Sequence, residues 1–168
     1  MAGLEDLYRE IILDHYRSPR RRGELACPPA HRSEGFNPLC GDEVVLTFEV
    51  RDGAVADVAV GGQGCAISQA SASMMSEAVV GKSTADVRRL SDRFKAMMGI
   101  DGAPDPAPDP ADTAPADAAP SPTDPLSLGD LEALRGVVKF PVRIKCATLA
   151  WNALLSGLDE LDAAAAPA

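Results

Sequence analysis

Residues 43–63 constrain the fold more than any other stretch of this chain. Val44, Leu46, Phe48 and Val50 alternate with Glu43, Val45, Thr47 and Glu49. Period-two alternation predicts a strand with one face more apolar than the other. Asp52-Gly53 follows directly, a dipeptide suited to a tight hairpin turn. Val55, Val58 and Val60 then lie on a returning strand that ends in Gly61-Gly62-Gln63-Gly64. A local antiparallel sheet results, and a short strand near His31–Phe36 can extend it. An apolar sheet face needs a cover, so the flanking segments must supply helices.

The flanks carry that signal. Leu4, Leu7, Tyr8, Ile11, Ile12 and His15 recur along one helical face, which Ser18-Pro19 and Gly23 end. His15 extends the face as a packed or interfacial histidine, with a direct role at a metal as the alternative. After Cys65, "AISQASASMMSEAVVG" reads as a helix packed tightly through Ala and Ser, closed by Gly81. Thr84–Met98 predicts another, with Ser83 or Thr84 as N-cap and Gly99 beyond its end. A short helix is expected at Leu126–Leu134. The last element, "FPVRIKCATLAWNALLSGL", opens with Pro141 in a favourable first-turn position and has Gly157 near its end. Val142, Cys146, Leu149, Ala150 and Ala153 share one of its faces, and Arg143 lies a turn before Cys146. The Ala-rich tail should fray.

Between these helices, residues 104–125 are almost wholly Pro, Asp, Ala and hydroxyl residues. Such a composition supports neither a core nor a regular helix and predicts a mobile insertion at about 101–125. The segment after it is too short for an independent core. The expectation is one domain over residues 1–168. Net charge is −9, of which six acids fall in residues 101–124, leaving about −3 elsewhere. That balance argues against nucleic-acid binding as the main function. No apolar run is long enough for a membrane span, and the first residues lack the order of a signal peptide. A cytoplasmic protein is expected.

Four cysteines are present, and a reducing compartment favours metal binding or catalysis over disulfides. In "NPLCGD", Cys40 and Asp42 flank Gly41, whose backbone freedom lets both side chains turn toward one point. Cys65 opens a helix, where the N-terminus favours thiolate. Cys146 sits on a helix face that must pack on the sheet. Cys27, in "LACPPA", has no such setting. Three thiolates and one carboxylate suit a tetrahedral zinc site. Free cysteines are also commonly buried as small apolar residues, and spacing alone does not separate the two readings.

The motifs "LYREIILDHYRSPRRRG", "NPLCGD", "GQGCAISQASASMM" and "LGDLEALRGVVKFPVRIKCATLAWNAL" resemble the SufU family of the NifU/IscU-like superfamily in order and spacing, from Leu7 to Leu155. The resemblance implies an α+β fold, a small antiparallel three-stranded sheet covered by helices. It implies zinc held by Cys40, Asp42, Cys65 and Cys146, with Cys40 as sulfur acceptor. It implies a SufS-type PLP-dependent cysteine desulfurase as donor and a downstream iron–sulfur assembly scaffold as recipient. The alternative in the same superfamily is a scaffold that binds iron or a [2Fe-2S] cluster on these cysteines. Scaffolds of the IscU type carry "LPPVK" followed by His-Cys. Here "FPVRIK" and Lys145 precede Cys146, and the insertion before the final helices is a SufU-type feature. Both favour the zinc-dependent sulfurtransferase. Arg143 is the candidate for orienting Asp42 or the acceptor sulfur through charge-assisted hydrogen bonds; a surface salt bridge is its alternative.

Overall fold

The computed structural model describes residues 3–100 and 126–165. The expected insertion at 101–125 lies outside them. Element order is α1 (Leu4–Arg17), β1 (His31–Asn37), β2 (Asp42–Arg51), β3 (Ala54–Gln63), α2 (Ala66–Val79), α3 (Thr84–Met97), a 3-10 helix (Gly129–Lys139) and α4 (Pro141–Ala165). The three strands form one antiparallel sheet in the order β1-β2-β3. Asp52 and Gly53 both take positive φ, 52° and 76°, as the two-residue hairpin turn requires.

The alternation decides which sheet face is buried. Val44, Leu46 and Phe48 point inward and are at most 2% exposed. Val58 and Val60 of β3 join them. α4 closes this face, packing on β1, β2, α2 and the 3-10 helix. Its Ala147, Ala150, Trp151, Leu154 and Leu158 are all core residues. Trp151 stacks on Phe94 of α3 with ring centroids 5.6 Å apart. α2 is buried nearly all round from Ser68 to Ser76. Its small side chains let both α1 and α4 approach, and two of its serines donate their hydroxyls to carbonyls, Ser71 to Ala147 and Ser76 to Ser73.

The α+β architecture with a three-stranded sheet is therefore as expected. The last element differs in three ways. Gly157 does not end α4 but lies within it. A Cβ there would sit 2.7 Å from the Phe48 ring, so glycine serves the helix–sheet contact rather than a cap. The Ala-rich tail is helical through Ala165. Val142, in the first turn of α4, is 59% exposed rather than on the buried face. The short helix expected at 126–134 is a 3-10 helix displaced toward α4. Among the described residues no helix is long and apolar enough to cross a membrane.

Candidate metal centre

The hairpin between β1 and β2 builds the first half of the site. Asn37 and Asp42 are cross-strand partners, joined by Pro38-Leu39-Cys40-Gly41. Gly41 takes φ +67°, which lets the chain reverse directly after Cys40. Partners in a ladder project to the same sheet face, here the face that α4 covers. The Asp42 side chain is accordingly fully buried and Asn37 is 6% exposed. Asp42 Oδ1 accepts the Cys65 N–H at 2.8 Å, and Oδ2 lies 3.8 Å from Cys65 Sγ. Gly64 makes room for this carboxylate: a Cβ there would come within 2.6 Å of Asp42 Oδ1.

Cys65 is the N-cap of α2, its Sγ accepting the Ser68 N–H at 3.4 Å. Cys146 comes from α4, fully buried, with its Sγ 3.2 Å from Cys40 Sγ. Asn37 Nδ2 donates to Cys146 Sγ at 3.7 Å. All four cysteines are free thiols. Donor atoms of Cys40, Asp42 and Cys146 lie within 4.8 Å of one another, and Cys65 joins the group through Asp42.

The structure thus brings Cys40, Asp42, Cys65 and Cys146 together. It leaves Cys27 apart, exposed, with its thiol directed at the Leu25 carbonyl. Arg143, which is exposed, lies beside the thiols of Cys65 and Cys146. Charge on Cys65, then hydrogen bonds to Cys146 and Cys65, hold its guanidinium above the ordinary arginine value. It therefore meets the two sulfurs other than the expected acceptor. Burial, followed by hydrogen bonding to Asp42 and Cys40, pushes the Cys146 thiol well above the usual range. A buried carboxylate and three sulfurs that crowd each other as acceptors are a donor set that a soft dication would satisfy, and their number and type fit tetrahedral zinc.

His15 is elsewhere. It is fully buried, its Nδ1 2.8 Å from Ser73 Oγ and its Nε2 2.9 Å from Asp130 Oδ2. Glu77 completes a second group of donor atoms within 4.8 Å, but the Arg20 guanidinium stands 4.0 Å from Glu77 and supplies positive charge there.

Two residues of the centre, Asn37 and Gly64, escape a reading of the sequence. Asn37 looks like an ordinary turn residue. The available signal is its place as the residue opposite Asp42 across a four-residue turn. Gly64 is hidden in a glycine run.

Residues 7–120 match the model of the NifU-like N-terminal domain. The chain belongs to that family. The NifU-like chain is 40% identical over 158 residues to the zinc-dependent sulfurtransferase SufU of Bacillus subtilis, covering 94% of this chain and 92% of that protein. It is 39% identical over 154 residues to the iron–sulfur cluster assembly scaffold protein IscU of Streptococcus pyogenes serotype M1, covering 92% and 84%. Among solved structures, a Fervidobacterium islandicum protein described as an iron–sulfur cluster assembly scaffold of the SUF system superposes with a TM-score of 0.66 at 27% identity. That match covers 93% of this chain and 99% of that one. The SufU resemblance read from the motifs is borne out, as is the NifU/IscU-like fold.

Proposed function

We propose that this protein is a zinc-dependent sulfurtransferase of iron–sulfur cluster assembly. It accepts persulfide sulfur from a SufS-type cysteine desulfurase and passes it to a downstream assembly scaffold. The observation that carries the reading is the convergence of Cys40, Asp42, Cys65 and Cys146, with one thiol in a turn and another sealed inside a helix. These four residues would hold zinc, which when bound keeps thiols in the thiolate form at neutral pH. Four free thiols support a reducing, cytoplasmic setting.

The chain's own geometry distinguishes the roles. Cys40 occupies a partly exposed turn, which moves at lower cost than a helix. Its sulfur attacks the outer sulfur of the donor's persulfide. A new S–S bond forms to Cys40, the donor's S–S bond breaks, and the electron pair leaves on the donor's cysteine. No net oxidation occurs. Cys146, with 0% exposure in the second turn of α4, is out of reach of a docked protein. Phe36, Leu39, Phe140 and Val142 are each about 60% exposed or more, on the segments that carry Cys40 and Cys146. Apolar side chains so placed suit contact with the donor enzyme. Arg143 is the candidate for holding charge on the thiols during docking.

The test is desulfurase turnover titrated with this protein. Cys40→Ala should abolish stimulation while circular dichroism stays that of the wild type, and normal stimulation would remove Cys40 from the mechanism. A second reading, cluster scaffold, is favoured by the names of the Streptococcus and Fervidobacterium relatives. Protein purified without oxygen separates the two: bound zinc and no visible chromophore favour transfer, a brown cluster-absorbing protein the scaffold.

A further inference from the structure

Cys40 and Cys146 sit 3.2 Å apart, so proximity alone does not explain why one should react and the other stay. Asn37 treats them differently. Its Oδ1 accepts the Leu39 N–H at 3.2 Å, and its Nδ2 donates to Cys146 Sγ at 3.7 Å. The first contact fixes the second. A backbone N–H needs an oxygen, so the amide nitrogen must face the sulfur. One buried side chain therefore ties the turn that carries Cys40 to the thiol of α4. The ladder sets this up, because Asn37 is the partner of Asp42 and both project under α4.

An N–H donated to sulfur draws on the lone pair that would attack an electrophile. Cys146 receives this amide; Cys40, on the other side of the contact, does not. We propose that Asn37 is a positioning residue that sets which thiol takes sulfur, holding Cys146 as a quiet ligand and leaving Cys40 the reactive one. Its use in sulfur transfer rests on the reading above. Its effect on thiol reactivity does not.

The test uses the full-length, zinc-loaded protein, limiting iodoacetamide and mass-spectrometric mapping of the alkylated cysteines. Asn37→Ala removes both hydrogen bonds. Asn37→Ser keeps an acceptor for the Leu39 N–H, as serine does in short turns, but is too short to reach Cys146. In the wild type, Cys40 should alkylate well ahead of Cys146. In both variants the rate at Cys146 relative to Cys40 should rise about tenfold, the scale on which partners of metal ligands act. A wild-type ratio in the serine variant overturns the proposal, whatever the alanine variant does, because the turn alone would then account for Asn37. No desulfurase is present, so this outcome is distinct from whether sulfur is transferred. If the ratio shifts as expected but desulfurase loads no sulfur on wild-type Cys40, the sulfurtransferase reading fails and the assignment of Asn37 stands.

Discussion

Gly64 shows how narrowly single residues define the centre. The Asp42 carboxylate occupies the space that any side chain at 64 would need, with 2.6 Å between the absent Cβ and Oδ1. The neighbour is a buried carboxylate held by the Cys65 N–H, not the free end of a flexible chain. Gly64→Ala should therefore turn Asp42 away from the thiols. We expect zinc affinity to fall by about 10- to 100-fold, read by competition with a chromogenic chelator. Overpacking should also lower stability by about 1–3 kcal/mol in urea denaturation. At this scale the sequence is uneven evidence. Cys40, Asp42, Cys65 and Cys146 can be picked out because few other residue types carry soft-metal chemistry. Asn37 and Gly64 cannot, since asparagine and glycine in turns are commonplace and their roles come from strand register and close approach. Arg143 is half legible: its helix position predicts nearness to the thiols, not which of them it meets.

Between elements, His15 is the tie that most merits disruption. From α1 it reaches Ser73 of α2 and Asp130 of the 3-10 helix, and Ser73 Oγ also accepts the Arg20 N–H. His15→Ala leaves a cavity and unpaired polar atoms among three helices. Stability should fall by about 2–4 kcal/mol in urea denaturation. Zinc content should stay at wild-type level, since His15 is not among the four donors, and loss of zinc from a folded variant would contradict that separation. The elements themselves were largely readable. Alternation gave β2, the Asp52-Gly53 dipeptide gave the turn, and helical periodicity gave α1. The failures lie where tertiary packing, or its absence, overrides a local rule. Glycine usually marks a helix end, yet Gly157 is held inside α4 by the Phe48 ring. Val142 lies in the apolar register of α4 but is exposed.

For the molecule as a whole, the four proposed donors come from three places: the β1–β2 hairpin, the head of α2 and the second turn of α4. An ion bound by all of them links the sheet to the helix that covers it. Removal of zinc should then lower thermal stability of the whole domain, not merely loosen a loop. We expect chelation to reduce Tm by roughly 10 °C or more, and re-addition of zinc to restore it. A Tm indifferent to zinc would mean that the four donors do not hold it together. Family-scale motifs made this convergence legible, because spacing alone could not bring Cys65 and Cys146 to one point.

The wide separation of the last donor has a consequence for how the protein is made. Cys40 and Cys146 are 106 positions apart. A chain leaves the ribosome from its N-terminus at about 5–20 residues per second, so the turn and the head of α2 emerge several seconds before α4. An ion arriving in that interval meets two thiols and a carboxylate, open to water. The third thiol, and the burial that comes with α4, arrive only afterwards. If these residues hold zinc as proposed, the four-donor centre is complete only when the final helix docks and covers it.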